Sequence, residues 1–258
     1  MSIFILSNRE HTIYEKECID MVDTLMTKID FAAASEILKS KLGLIGSPVA
    51  IKLATGKDDI PEGMENIKGT FRHCKMVSMA RNEGRVFYAT VENHECMGGA
   101  WALGLRELTE SLKTGHFYFR LGKFESTAAC KRTIDRIPHV ESGATYATMY
   151  APLEKTNFSP HVILIIGNPR MMLKLAQSTL FNLGGRIHSE FSGIQSVCSD
   201  STAQVYLTGK ANYSLGCDGS RKFSGIKDDE MVMGFPVELL PDMQKAVQIV
   251  TAAPGSKK

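Results

Sequence analysis

The sequence has no apolar run long enough to cross a membrane and no strong excess of charge of either sign. The longest clean apolar run, Val162 to Ile166, has the length of a strand, whereas a membrane-spanning helix needs about 20 apolar residues. The N-terminal MSIFILSNREH lacks a basic segment followed by a long apolar one, so we expect no secretory signal. Because 30 basic and 28 acidic residues are spread along 258 residues, the net charge of +2 gives no reason to expect nucleic acid as a partner. We therefore expect a cytoplasmic protein without a membrane or nucleic-acid partner.

Close pairs of cysteines are also missing. None of the six cysteines forms a Cys-x-x-Cys motif or a ferredoxin-type run, and small structural zinc sites usually contain such pairs. Without an export signal, the cysteines are expected to be reduced thiols that serve packing, catalysis or metal binding. Cys18 and Cys130 stand outside any pattern, and we interpret them as packing residues.

The remaining four cysteines belong to two stretches that resemble each other. Cys74 and Cys96 are 22 residues apart, and Cys198 and Cys217 are 19 residues apart. In each stretch the first cysteine precedes a short helical segment that ends near a glycine, and the second cysteine follows an extended segment. Four cysteine thiolates can hold one metal centre. The wide spacing predicts a centre assembled by the whole fold from loops at the ends of strands.

Glycines follow the second cysteine of each pair. Gly98 and Gly99 follow Cys96, and Gly219 follows Cys217, each close to a predicted helix start. Glycine lets backbone N–H groups approach an anion closely, and a helix start favours a thiolate. This context favours an anionic iron–sulfur cluster over zinc, so the three glycines are candidate cofactor-binding residues.

Three further candidate side chains belong to the same segments as the cysteines. Arg221 is a candidate for holding an anion near the site, although a surface arginine fits the sequence about as well. His73 and His94 are alternative ligands or proton donors. Because the second stretch has no matching histidines, we interpret both as partly exposed loop residues.

Strands and helices alternate in both halves of the sequence. Ser-Pro introduces an apolar strand in each half, followed by cysteine, helix and glycine, and then by a strand that ends near the second cysteine. The pattern predicts an α/β protein with an open or mixed sheet, built from two pseudo-repeated halves. We expect a peripheral N-terminal segment over residues 1–30 and a single domain over 31–258, with halves of about 31–150 and 151–258. The predicted elements also include a helix that carries Trp101 to Leu112 and an extended segment over Phe117 to Leu121.

The segments around Cys96-Met97-Gly98-Gly99-Ala100 and Ser214 to Arg221 resemble a known family. It is catalogued as domain of unknown function 169 and occurs mainly in anaerobic archaea and bacteria. The resemblance covers roughly Ile37 to Val250. The family implies no activity, but its occurrence in strict anaerobes fits an oxygen-sensitive iron–sulfur protein.

The sequence therefore predicts one iron–sulfur cluster, most simply 4Fe–4S, on Cys74, Cys96, Cys198 and Cys217. The cluster would serve electron transfer or a reductive step, with a redox partner protein or a small-molecule substrate as partner. Two alternatives stay open. One is a non-redox protein, zinc-containing or metal-free, that binds a small anion or a partner, and the other is an enzyme with a cysteine nucleophile. The sequence also leaves open whether the chain forms a homo-oligomer.

Overall fold

Residues 29–252 are the part of the chain that the computed structural model describes. Cys18 and nearly all of the predicted peripheral segment over residues 1–30 lie outside this part. From Phe31 onward the described residues form one unit by their contacts. Within residues 29–252, no helix combines the length and apolarity that a membrane span requires.

Six strands form one open sheet in which every neighbouring pair is antiparallel. The order across the sheet is β2-β3-β1-β4-β6-β5. The expected α/β class is thus confirmed. The strand–helix–strand pattern does not give parallel neighbours, because β3 lies between β1 and β2, which run in the same direction. The strands are β1 (Val49–Ala54), β2 (Phe87–Thr90), β3 (Ala147–Pro152), β4 (Val162–Gly167), β5 (Asn212–Ser214) and β6 (Met231–Pro236).

The two halves of the chain use the same strand order. In each half the first strand lies in the middle of the sheet, the third lies beside it and the second forms the edge. β3 and β6 both end in a proline, Pro152 and Pro236, and both lead into a 3₁₀ turn. These matches agree with the predicted pseudo-repeat, while the duplication itself stays a prediction.

Ten α-helices and one π-helix surround the sheet within the described residues. Capping explains several of their starts, as in α7, where the Asn168 side chain accepts a hydrogen bond from the Met171 N–H and Pro169 occupies the first turn. The helices are α1 (Phe31–Leu42), α2 (His73–Glu83), α3 (Met97–Ala102), α4 (Glu110–Lys113), α5 (His116–Arg120), α6 (Thr127–Ile134), α7 (Pro169–Thr179), the π-helix (Ser196–Ala203), α8 (Gln204–Thr208), α9 (Asp218–Ser224) and α10 (Leu240–Val250).

The two faces of the sheet are covered by different helices. Alternate side chains of β1 and β4, such as Ile51 and Leu164, are buried with residues of α2, α3 and the π-helix. We call this side the site face. The intervening side chains, such as Ile163, are also fully buried. On their side α10 packs against α1 and α7. The four candidate cysteines all belong to elements on or beside the site face.

Two predicted elements of the first half are wrong. The helix expected from Trp101 to Leu112 ends at Ala102, because Gly104 adopts a φ of 77° that a helix cannot continue through. The alternating Phe117, Phe119 and Leu121 do not form a strand but lie on and beside α5. All three are more than 40% exposed, so their alternation does not correspond to one buried sheet face.

Candidate metal centre

Cys74, Cys96, Cys198 and Cys217 line one cavity of about 610 Å³. They come from four separate segments of the chain and from both halves. The predicted convergence of the four is therefore present in the fold. Cys130, by contrast, is fully buried in a satellite core cluster beside Trp101, as expected for a packing residue. None of these five cysteines forms a disulfide.

Each of the four cysteines lies at or near the start of a helix. Cys96 and Cys217 are the N-caps of α3 and α9. Cys74 is the second residue of α2, and Cys198 is the third residue of the π-helix. Two residues separate Cys217 from the end of β5, and a 3₁₀ turn and two further residues separate Cys96 from β2. The expectation that these cysteines lie at strand ends therefore describes Cys96 and Cys217, whereas helices on the site face carry Cys74 and Cys198.

Backbone N–H groups donate hydrogen bonds to two of the sulfurs. The Gly99 N–H donates to the Sγ of Cys96 at 3.4 Å, and the Ser220 N–H donates to the Sγ of Cys217 at 3.4 Å. Both bonds are N-cap interactions made by a thiol in place of a hydroxyl. Gly98, Gly99 and Gly219 all line the cavity, while their role in binding a cofactor stays a prediction. A Cβ on Gly99 would lie 3.6 Å from the Sγ of Cys96 and 3.7 Å from the Cβ of Cys198, so this glycine leaves open the space between two cysteines.

Burial keeps three of the thiols protonated in the metal-free protein. It raises the pKa of Cys74 to about 11 and also raises the pKa of Cys96 and of Cys198. After burial, negative charge on Cys96, Cys217 and Cys74 raises the pKa of Cys198 further, so the four sulfurs lie within electrostatic reach of one another. A nucleophilic cysteine needs a lowered pKa, and these three have the opposite shift. A bound metal cation would reverse it, because coordination deprotonates a thiol.

The four sulfurs surround the cavity but do not meet at one point. Among residues 29–252, no three histidine, cysteine or acidic side chains are close enough together to bind a single metal ion. A tetrahedral zinc ion holds its sulfur ligands at about 2.3 Å from one centre. The described side chains therefore do not present a set of three or more ligands within reach of one such ion.

His73 and His94 are buried beneath the site, so the interpretation of them as partly exposed loop residues is wrong. They are 2% and 4% exposed. The Thr202 hydroxyl donates to the Val197 carbonyl at 2.7 Å, so it can accept from the Nε2–H of His73 at 3.1 Å. The Nδ1 of His73 then accepts from the Tyr150 hydroxyl at 2.8 Å. Burial lowers the pKa of both histidines to about 3, so both are neutral.

Arg221 is not among the residues that line the cavity. Its guanidinium donates to the carbonyl oxygens of Lys227, Leu215 and Glu230 and so closes its own loop. Arg72 lines the cavity instead, pairs with Glu95 at 3.0 Å and stacks 3.6 Å from the centre of the Phe223 ring. In the sequence Arg72 stands two residues before Cys74, and no motif marks it.

Gln195 is a cavity residue that the sequence analysis did not identify. It is 3% exposed, and neither its Nε2 nor its Oε1 has a hydrogen-bond partner within the described residues. It has a φ of 53°, which makes it the one non-glycine residue with positive φ in residues 29–252. It is also the N-cap of the π-helix that carries Cys198. No sequence signal marks it, because a lone glutamine in a Gly/Ser-rich loop is typical of a solvated turn.

Comparison with known proteins gives the family of the chain. The model of the uncharacterised ArCR family, catalogued as domain of unknown function 169, matches residues 37–246. The chain belongs to this family. The family match confirms the resemblance expected from the sequence and contains all four cavity cysteines as well as Gln195.

One relative of the chain comes from an archaeon. An uncharacterized protein of Methanocaldococcus jannaschii is 49% identical over 201 residues, which cover 78% of this chain and 86% of that protein. No solved structure matches the chain. The family description names no activity, so the chemistry of the protein is inferred from the residues that line the cavity.

Proposed function

We propose that the protein holds one iron–sulfur cluster, most simply 4Fe–4S, on Cys74, Cys96, Cys198 and Cys217. The observation that carries the proposal is the convergence of these four cysteines on one cavity, while Cys130 stays in the core. The four cysteines are far apart in the sequence but line one cavity in the fold. A centre bound to them would therefore form only when both halves of the chain are folded.

The surroundings of the cysteines suit an anionic cluster. The N–H groups of Gly99 and Ser220 donate to two of the sulfurs, and hydrogen bonds to cluster ligands tune reduction potential. The guanidinium of Arg72 is close enough to interact electrostatically with Cys96 and Cys74. Apolar side chains such as Leu112, Phe117 and Ile194 also line the cavity.

A cluster here would supply one-electron transfer, and the protein would serve electron transfer or a reductive step on a small molecule. A redox partner protein would deliver the electrons. The relative from an anaerobic archaeon agrees with an oxygen-sensitive centre, and reduced cysteines agree with a cytoplasmic location.

The test is the visible absorbance of protein purified without oxygen. We expect a brown protein with a broad band near 400 nm, as thiolate-bound iron–sulfur clusters show. Single Cys→Ser changes at the four positions should each reduce the band and the iron content. Cys130→Ala is the matched control, because it removes a buried thiol outside the cavity and should leave both unchanged.

Three results would contradict the proposal. A colourless wild-type protein with equimolar zinc would favour the non-redox alternative. A metal-free protein in which one cysteine alone reacts rapidly with an alkylating reagent would favour a cysteine nucleophile. Equal loss of iron in Cys130→Ala and in the four Cys→Ser variants would show that the iron does not depend on the cavity.

A further inference from the structure

The cavity is larger than a cluster on its wall requires. Its volume of about 610 Å³ lies in the range of small-molecule sites, about 300–1,000 Å³. A cluster of eight atoms bound at the cysteines fills only part of that space. The remaining wall is formed by apolar and aromatic side chains, among them Leu112, Phe117, Tyr118 and Ile194.

The side-chain amide of Gln195 lies in this wall without a partner. Both amide atoms are buried and unpaired within the described residues, and buried polar groups are rarely left so unless a ligand or water completes them. The positive φ of Gln195 is costly for a non-glycine residue. Such backbone strain is concentrated at functional sites, as are π-helices.

Gly98 makes room for this amide. A Cβ at Gly98 would lie 2.6 Å from the Nε2 of Gln195, so any larger residue there would displace the amide. The phenol of Tyr118 lies close enough to interact with the side chain of Gln195, but neither amide atom has a partner at full hydrogen-bond geometry within the described residues. Tyr118 is therefore the neighbour with which a ligand would share the amide.

Most of the charges that line the cavity are paired, which favours a neutral ligand. Arg72 pairs with Glu95, Lys123 pairs with Asp218, and the ammonium of Lys222, which also lines the cavity, lies 5.3 Å from the centre of the Phe223 ring. A glutamine amide presents one donor and one acceptor side by side. Its complement is a group that presents an acceptor and a donor in the same way, which a carboxylate does not.

We propose that the cavity binds a small, largely apolar, neutral molecule through a carboxamide or lactam edge that pairs with the side-chain amide of Gln195. The idea that the reduced cluster acts on this molecule rests on the proposed function. Binding of the molecule to the cavity is measured separately from the iron content. Tyr118 and the apolar wall would enclose the rest of the molecule.

The experiment compares three probes of equal size by ligand-observed NMR titration of the full-length protein. Benzamide offers an acceptor and a donor, acetophenone an acceptor alone, and benzoate a charged pair of acceptors. We expect benzamide to bind roughly ten- to a hundredfold more tightly than either of the others, because two hydrogen bonds depend on its amide. Equal dissociation constants for the three probes, or no binding of benzamide, would overturn the proposal and leave water as the partner of the amide.

Gln195→Met keeps the size of the side chain and removes both hydrogen-bonding atoms. In this variant the affinity for benzamide should fall to that for acetophenone, while iron content stays at the wild-type level. If this variant does not fold, Gln195→Gly is the second test, because glycine adopts the observed φ without strain. Selectivity for benzamide that survives either change would contradict the assignment to Gln195.

Measuring iron and probe binding on the same samples separates the two proposals. Selective benzamide binding by iron-free protein would support this site and count against the cluster. Iron-loaded protein that does not prefer benzamide to the other probes would support the cluster and count against this binding site.

Discussion

Single residues decide how closely the elements on the site face approach the sheet. Gly234 lies in the middle of β6 and pairs with Leu164 of β4 and Asn212 of β5. A Cβ at this position would collide with the backbone carbonyl oxygen of Ser201 in the π-helix and lie 3.0 Å from a methyl group of Val205. The absence of a side chain at Gly234 therefore lets the π-helix, and Cys198 with it, rest directly on the sheet.

Gly234→Ala should destabilise the protein. The π-helix backbone cannot move aside as a flexible side chain can, so we expect a loss of about 1–3 kcal/mol in the free energy of unfolding, typical of an overpacked core. The measurement is the midpoint of chemical denaturation. Gly56→Ala is the control, since a Cβ at Gly56 would meet nothing within 4 Å. Similar midpoints for the two variants would refute the close contact.

A buried ion pair joins the two halves of the chain. Arg81 of α2 donates to the Glu230 carboxylate at 2.7 Å, and both side chains are 8% exposed. Burial alone would raise the pKa of Glu230, but the hydrogen bonds from Arg81 and the Lys227 N–H, together with the charges of Arg81 and Lys227, outweigh it and lower the pKa. Glu230 also accepts from the Lys227 N–H at 2.9 Å, so Arg81 is not its sole partner.

Arg81→Met should cost about 3–5 kcal/mol of stability at pH 7, because it leaves a buried carboxylate without its cation. Thermal unfolding of this variant is compared with that of Lys131→Met. Lys131 forms an exposed pair with Asp135, in which both side chains are more than half exposed, so its loss should cost less than about 1 kcal/mol. An equal effect of the two changes would be inconsistent with a buried pair.

Asp59 gives the protein a pH dependence in the acid range. Burial would raise its pKa, but hydrogen bonds from Lys52 and Thr55 outweigh burial and lower the pKa to about 2. Since the folded-state pKa lies below the unfolded value, the stabilisation is complete above about pH 4 and is lost as the pH falls toward 2. In Asp59→Asn, stability at pH 7 should fall by up to about 1 kcal/mol, given the partial exposure of the carboxyl. Denaturation midpoints measured from pH 7 to pH 2 test this, and a parallel pH profile for wild type and variant would contradict it.

At the scale of the element, the π-helix is the segment that the sequence described least well. Its preceding residue, Gln195, is strained and its third residue is Cys198. The sequence predicts a short helical segment after Cys198, whereas the π-helix begins before it at Ser196. A loop composition rich in glycine and serine gave no indication that seven of the eight residues of the π-helix are buried.

A pair of substitutions measures the strain at Gln195. Gln195→Gly and Gln195→Ala both remove the amide, but only glycine adopts the observed φ of 53° freely. We expect the glycine variant to be more stable than the alanine variant by about 1 kcal/mol, the cost of a left-handed conformation with a Cβ. Equal stability in thermal unfolding would show that the backbone relaxes at no cost.

How much of the fold could be predicted depended on local signals. Strands such as β4 were predictable because continuous apolar runs are typical of fully buried strands, and α7 was predictable from its Asn-Pro start. The sequence could not show that Gly104 ends α3, because the contact that restricts it, with Val140 and Glu141, is distant in sequence. The short alternation of apolar residues from Phe117 to Leu121 was ambiguous for the same reason. Whether such a segment forms a strand or a helix depends on which side chains are buried, and their burial depends on the tertiary structure.

At the scale of the whole molecule, the two halves are complementary parts of one site. β1 and β4 pair at the centre of the sheet and bring the halves together. Each half contributes two cysteines to the cavity. The repeat of cysteine and glycine positions was sufficient to select these four residues. It could not supply Gln195 or Arg72, which belong to one half only and have no counterpart in the repeat.

The most direct test of the account is the content of iron and acid-labile sulfide per chain after anaerobic purification. The account predicts four of each per chain, because a 4Fe–4S cluster uses one cysteine for each iron atom. Absence of both, or one zinc ion per chain without sulfide, would contradict it.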